Sequence, residues 1–510
     1  GGKPASGPLA AGPTRFAASP PRGYSTPERM PKDPSPPPPP ERRIYANRTL
    51  NLRAIKAVGF DMDYTLVHYR VAEWERQAFE RARRGLEARG FAAADLVFDP
   101  EFVTLGLILD LELGNIVKAN RFGYVTRACH GTRMLDFEEQ RRVYSRVVVD
   151  IGSPRWVAMD TLFSLSEASL FAQLVDRADA GHPPAAGGYL AVHRAVRESI
   201  DEVHMIDQLK AEIMADPDRF VEVDPELPLA LLDLKHAGKR LLVITNSEWT
   251  YTQAMLAYAL DRLLPGGQSW RDLFDLVFVG ARKPTFWTAR SPAYALVDDS
   301  GLLRPHPGAL TLGGVYHGGN AAQVERDLGL AGEEILYVGD HIFADVYVTK
   351  DVLRWRTALV VRELERELRA LEGFRPQQAE LSALMDQKAA LEHRASLLRV
   401  AVQRAEAGYG GPPAQRPETL HRRLGELRAE LVALDARIAP LAQAAGELVN
   451  QRWGTVLRAG NDKSALARQI ERSADVYMAR VSCFLHETPF AYLRSAGSSL
   501  PHEAGPRGGG

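Results

Sequence analysis

Cysteine is scarce: Cys129 and Cys483 are the only two in 510 residues. That excludes a disulfide framework, and without a CxxC pair it excludes a thiolate metal site. Two isolated thiols fit a reducing compartment and read as small buried side chains. Excess charge is lacking too. A formal net charge of −1 argues against a broad electrostatic footprint for nucleic acid, so no nucleic-acid partner is expected. No apolar run approaches the length of a membrane span, so no membrane partner is expected either. What is present is 45% hydrophobic residues, the composition of a globular protein of two or three domains.

Residues 1–43 are rich in Pro, Gly, Ala and Ser and include the run PSPPPPPE. Such a segment cannot build a core and reads as disordered. Its first 27 residues carry Lys3, Arg15 and Arg22 but no acid, the bias of an organellar transit peptide. The expected location is therefore cytoplasmic, or chloroplast or mitochondrion if that segment is a transit peptide.

Beyond it, IKAVGF reads as a strand and VAEWERQAFERARRGLEARG as an amphipathic helix ending at Gly90. From about 90 to 225 the pattern is mostly helical. Then RLLVIT, DLFDLVFVGA, EEILYVGD and WRTALVV alternate with helical stretches such as PLALLDLKHAG. Short apolar runs separated by helices predict an α/β fold, a Rossmann-like doubly wound parallel sheet covered on both faces. After Arg362 a helical stretch meets Pro376, and a long helix follows it. The next helix spaces Leu420, Leu424, Leu427, Leu431, Leu434, Ile438 and Leu441 alternately by four and three. That heptad seam predicts an antiparallel helical hairpin. The segment NDKSALARQIERSADVYMARVSCFLH reads as one more helix.

Four polar clusters stand where these strands end. FDMDYTL places Asp61 and Asp63 two positions apart after AVGF. Acids at that spacing share a face of an extended segment, and like charges so close are costly without a cation. Thr245, Asn246 and Ser247 close RLLVITNS, Lys283 lies in GARKP, and Asp340 and Asp345 lie in YVGDHIFAD. Each has an ordinary reading as a turn, a cap or a solvated lysine. Their order at successive strand ends, where ligands bind in open parallel sheets, points to one site.

The sequence DMDYT, TNS, RKP, GDHIFAD resembles the haloacid dehalogenase superfamily of phosphohydrolases, and its wording resembles the cytosolic purine 5′-nucleotidase branch. The likeness runs from about Ile44 to Glu503 and includes FSLSEASLFAQLVD and PFAYLRSAGSSLPHE. It implies a superfamily core over 44–75 and 226–362 and a mainly helical cap over 76–225. A hairpin over 363–447, C-terminal helices packed on the core over 448–503 and a flexible tail over 504–510 complete the expected domains. It also implies roles. Asp61 would be the nucleophile and Asp63 the general acid and base. Thr245 would hold phosphate oxygens, and Lys283 would balance charge. Asp340 and Asp345, with Asp61 and the Asp63 carbonyl, would hold Mg²⁺, the cation that suits hard oxygen ligands.

The gap between Asp63 and Thr245 is too long for a loop in a compact domain, and a cap there would read the leaving group. The resemblance assigns a purine nucleoside monophosphate, with Arg197, Asp201, His204 and Lys210 on the cap. Arg197 donating and Asp201 accepting would suit a 6-oxopurine, as in IMP or GMP. The plainer alternative is a salt-bridged helix face. Phe163 matches the aromatic that stacks on the base, with Asn246 and Ser247 completing the substrate contacts. Ser164 replaces an Asn of the purine-specific members, and Met205 replaces an aromatic. Regulated members are activated by adenine nucleotides at a separate site. Phe343, Gln469 and Arg472 match there, but Asp351 replaces a lysine and Asp160 an asparagine, so activation is expected to be weak or absent. A homo-oligomer is expected. Two other readings stay open: a phosphatase acting on another small ester, and an interaction protein built around the hairpin.

Overall fold

The computed structural model describes residues 37–161, 164–182, 187–205, 208–411 and 415–497, without the side chains of 203–208. The first 27 residues, read as a possible transit peptide, the tail and Phe163 therefore lie outside the described residues, as do the side chains of His204 and Met205. Ahead of residue 44, Pro40–Arg42 forms a 3-10 turn, with the Tyr45 hydroxyl donating to the Pro40 carbonyl (2.8 Å).

The central sheet has ten strands among the described residues. Seven are parallel: β1 Ala57–Phe60, β2 Arg240–Ile244, β3 Leu276–Val279, β4 Gly314–Gly318, β5 Ile335–Gly339, β6 Arg356–Val360 and β7 Val476–Met478. Their order is β7-β6-β5-β1-β2-β3-β4. Tyr45–Ala46 pairs antiparallel outside β7, and Ala293–Leu296 pairs antiparallel outside β4. The alternation read from the sequence is thus realised as an α/β fold. Side chains alternate across the sheet. Val58, Phe60, Leu241, Val243, Leu336 and Val338 fill the core on one face, while Ala57, Leu242, Ile244, Ile335 and Tyr337 fill the other. Burial on both sides is why these strands read as continuous apolar runs.

The insertion between β1 and β2 is mostly helical, as read, but it contains a sheet that the pattern did not reveal. It carries helices α1 Val71–Ala88, α2 Leu165–Asp179, α3 Gly188–Met205 and α4 Gln208–Ala215. It also holds a five-stranded antiparallel sheet running from Ile108–Asp110 to Trp156–Ala158. That sheet packs Ile108, Val117, Ala128 and Trp156 on one side and Leu109, Ile116 and Cys129 on the other. Short apolar runs buried on both faces cannot be told from helix by periodicity.

Helices α5 Leu364–Ala407 and α6 Pro417–Gly446 form the hairpin, packing on each other through Leu381, Leu384, Leu434 and Ile438. Helix α5 runs straight through Pro376. Its packed residues on both sides, Phe374 before the proline and Leu381 after it, keep the chain helical despite the lost backbone bond. The last segment is not one helix. It forms α7 Ala465–Ser473, then β7, then a short helix at Cys483–Glu487. β7 is three residues long, and an apolar triplet among helix formers carries no period of its own. Among the described residues no helix is long and apolar enough to cross a membrane.

Candidate active site

β1 lies mid-sheet, with β2 to β4 on one side and β5 to β7 on the other. That reversal of strand order makes a crevice at the carboxyl ends. Phe60 is level with Val243 and Val338 in its neighbours, so Asp61, Thr245 and Asp340 emerge together. The Asp61 N–H still donates to the Val338 carbonyl, and the Thr245 N–H to the Phe278 carbonyl (2.9 Å each). Their side chains therefore leave a backbone fixed by the sheet ladder.

Lys283 is the hub. Its Nζ lies 2.9 Å from Asp61 Oδ1 and 2.7 Å from Asp345 Oδ1, and donates to the Tyr337 hydroxyl (3.1 Å). That hydroxyl donates onward to the Ile244 carbonyl (2.9 Å). Asp345 comes from a widened helical turn, Ile342–Tyr347, and its Oδ2 accepts from the His341 N–H (3.1 Å). Gly339 makes room for it, because a Cβ there would stand 2.5 Å from that same oxygen.

Oxygens of Asp61, Asp340 and Asp345 lie within 4.8 Å of one another. Three carboxylates face one ammonium. Burial pushes the Asp61 carboxyl up to about 7 against the pull of Lys283, and Asp345 and Asp63 add repulsion. Burial, then Asp61 and Asp345, hold Asp340 well above the usual carboxylate range. Burial disfavours the Lys283 ammonium, but Asp345 and Asp61 outweigh it and keep the lysine charged. Hard oxygen donors with surplus negative charge fit a divalent cation, and the cluster holds no thiol or imidazole that would favour zinc.

Asp63 stands beside this cluster with both oxygens bonded. Oδ1 accepts from the Tyr69 hydroxyl (2.5 Å) and Oδ2 from the Ser247 hydroxyl (2.7 Å). Thr245 is buried, and its Oγ1 accepts from the Ser247 N–H (3.1 Å). The Asn246 amide bonds the Lys283 backbone at both N–H and carbonyl.

Of the cap residues, Lys210 on α4 reaches the site: it donates to Ser247 Oγ (3.3 Å) and lies 4.9 Å over the Tyr251 ring. Arg197 on α3 pairs with Asp201 (3.1 Å) and with the buried carboxylate of Glu167 (3.0 Å), which also bonds His193 (3.0 Å). The exposed-pair element expected of that helix face is therefore present, braced from beneath by Glu167. Ser164 is buried at the start of α2. Sequence reasoning missed Tyr69, Tyr251, Tyr337 and Glu167. Tyr337 sits in an apolar run and reads as core, whereas Tyr69 in LVHYRV and Tyr251 in EWTYTQ stand between polar neighbours that form no motif. Glu167 carried one hint, an acid at the third position of a helix that also carries Leu165, Leu170 and Phe171.

Residues 44–505 match the profile of the 5′ nucleotidase family. The chain is 27% identical to human 5′-nucleotidase domain-containing protein 2, over 90% of this chain and 85% of that one. It is also 27% identical to the Rattus norvegicus protein of the same description, over 90% of this chain and 80% of that one. A match spanning the sheet, the insertion and the C-terminal strand covers every element that builds the site. The chain belongs to the 5′ nucleotidase family of phosphoric monoester hydrolases.

Proposed function

We propose that the protein is a Mg²⁺-dependent 5′-nucleotidase that hydrolyses 6-oxopurine nucleoside 5′-monophosphates through an aspartyl-phosphate. The observation that carries this reading is the joint placement of Asp61, Lys283 and Asp345 within 2.9 Å contacts, with Asp63 bonded to Ser247 beside them. Asp61 attacks phosphorus, Thr245 holds the phosphate oxygens, and Lys283 balances the charge on nucleophile and phosphate. Asp63 protonates the leaving 5′-oxygen and then takes a proton from the water that cleaves the acyl phosphate. Asp61, Asp340, Asp345 and the Asp63 carbonyl would hold Mg²⁺, which would supply charge neutralisation at the phosphate.

The substrate assignment rests on the cap. Lys210 meets Ser247, which supports a leaving group held between cap and core. Arg197 and Asp201 offer a donor and an acceptor that a 6-oxopurine edge complements, with Phe163 and His204 as the further contacts the family resemblance assigns. Phosphate release from a panel of nucleoside monophosphates, with and without Mg²⁺ and with Asp61→Asn as control, tests it. IMP and GMP should lead the panel. No Mg²⁺-dependent turnover of any member would sink the reading, and a preference for a non-nucleotide ester would redirect it.

A further inference from the structure

The two hydroxyls that hold Asp63 differ in freedom. Tyr69 is 2% exposed, with its ring packed against Tyr64 (5.2 Å) and Trp74 (4.6 Å between centroids). Its oxygen accepts from the Tyr251 hydroxyl (2.9 Å). A phenol has one proton, so a Tyr69 that accepts from Tyr251 donates to Asp63 Oδ1 and to nothing else. Tyr251 is itself buried, which fixes that polarity from behind. Ser247 is the opposite case. Its hydroxyl turns freely about one bond, and its oxygen already faces Lys210 Nζ, which can only donate.

We propose that Tyr69, backed by Tyr251, is a positioning residue that reserves Asp63 Oδ1, so that the catalytic proton travels on Oδ2, the oxygen facing Ser247. The inference rests on the reading of Asp63 as the proton donor. As the bond from Asp61 to phosphorus forms and the ester P–O bond breaks, the Oδ2 proton passes to the leaving oxygen and Asp63 becomes a carboxylate. In the second step a water oxygen bonds phosphorus, the Asp61–phosphorus bond breaks, and the water's proton returns to Oδ2. Ser247 swings its own proton onto a phosphate oxygen whenever Oδ2 is protonated. Oδ1 keeps one partner throughout, which holds the carboxyl plane in the line of transfer.

The test compares a nucleoside 5′-monophosphate with its analogue carrying sulfur in place of the bridging 5′-oxygen. The thiolate leaves without needing a proton, and the two esters fill the same cap. Single-turnover nucleoside release is measured for wild type, Tyr69→Phe and Tyr251→Phe, with thermal midpoints alongside. Tyr69→Phe, which keeps the packed ring, should slow release from the oxygen ester about 10-fold or more while changing the sulfur ester less than about 2-fold. Tyr251→Phe should move the same ratio in the same direction by less. Equal losses on both esters, or no loss on either, would overturn the positioning role. A wild-type enzyme inert toward both esters with Mg²⁺ would overturn the nucleotidase reading, and this inference with it.

Discussion

Asn246 and Lys283 are bonded to each other twice: Oδ1 of the amide accepts from the Lys283 N–H (2.6 Å), and its Nδ2 donates to the Lys283 carbonyl (3.2 Å). The pair ties the loop after β2 to the loop after β3. The residue before the lysine, Arg282, has a left-handed backbone (φ 59°), so this loop depends on outside contacts for its shape. The direction in which Lys283 points is therefore set by an amide on another strand.

Asn246→Ala should misplace the lysine and lower kcat/KM about 10- to 100-fold. The orphaned backbone groups should lower stability by about 1–2 kcal/mol. Steady-state kinetics and thermal unfolding of the single variant read both effects. Unchanged kcat/KM would show that Lys283 holds its place unaided.

Metal removal is the second test. Mg²⁺ at a hundredfold excess over its Kd should stabilise the fold by about 2.7 kcal/mol, because binding relieves the repulsion among Asp61, Asp340 and Asp345. Thermal midpoints with Mg²⁺ and with chelator measure this. Asp340→Asn should erase most of the difference, and equal midpoints in the wild type would count against a cation site.

Glu75 predicts a pH effect. It is fully buried on α1, and one oxygen accepts from the Ser166 N–H (2.7 Å) at the start of α2. Burial pushes its carboxyl from 4.5 up to about 7, with the Ser166 bonds pulling the other way. Between those pH values the native state keeps a proton that the unfolded chain has lost, so stability falls as pH rises through the window. Glu75→Gln should flatten that slope, the two proteins diverging by on the order of a few kcal/mol at the upper end. Thermal unfolding across mildly acidic to neutral pH reads it. Parallel slopes would show that Glu75 contributes none of the dependence.

Nucleotide activation should be weak or absent. Phe343 is half exposed and stacked on Tyr347 (5.9 Å), and the exposed Asp351 follows on the helix Val348–Leu353. An acid where regulated members carry a lysine repels polyphosphate. Millimolar ATP is expected to leave turnover unchanged, and a clear rise would contradict this account.

The convergence of Asp61, Lys283, Asp340 and Asp345 is legible in the sequence because each lies at or just beyond the end of an apolar run that forms a strand. Spacing alone then carries them to one edge of the sheet. Tyr69, Tyr251 and Tyr337 are not legible, because neighbouring residues do not tell which polar atom a buried phenol hydroxyl will meet. Arg197 and Asp201 lie between. Their spacing on α3 shows that they meet, but the buried Glu167 beneath them comes from α2 and leaves no trace in the local pattern. The antiparallel sheet from Ile108 to Ala158 hides for a different reason: its strands Ile108–Asp110 and Asn115–Ala119 are buried on both faces and lack the alternation that marks a half-exposed strand.

β7 has a consequence for synthesis on the ribosome. It covers the outer edge of β6, yet it is translated after the insertion and the whole hairpin. Until Val476–Met478 emerges, β6 presents an unpaired edge whose residues Thr357, Ala358, Leu359 and Val360 are all buried in the finished protein. Asp475, which binds Lys350, Arg356 and the Thr357 N–H, arrives with it. A nascent chain stalled in the hairpin would carry an open, sticky strand edge, so this protein should need chaperone protection late in translation, and truncations that remove β7 should aggregate.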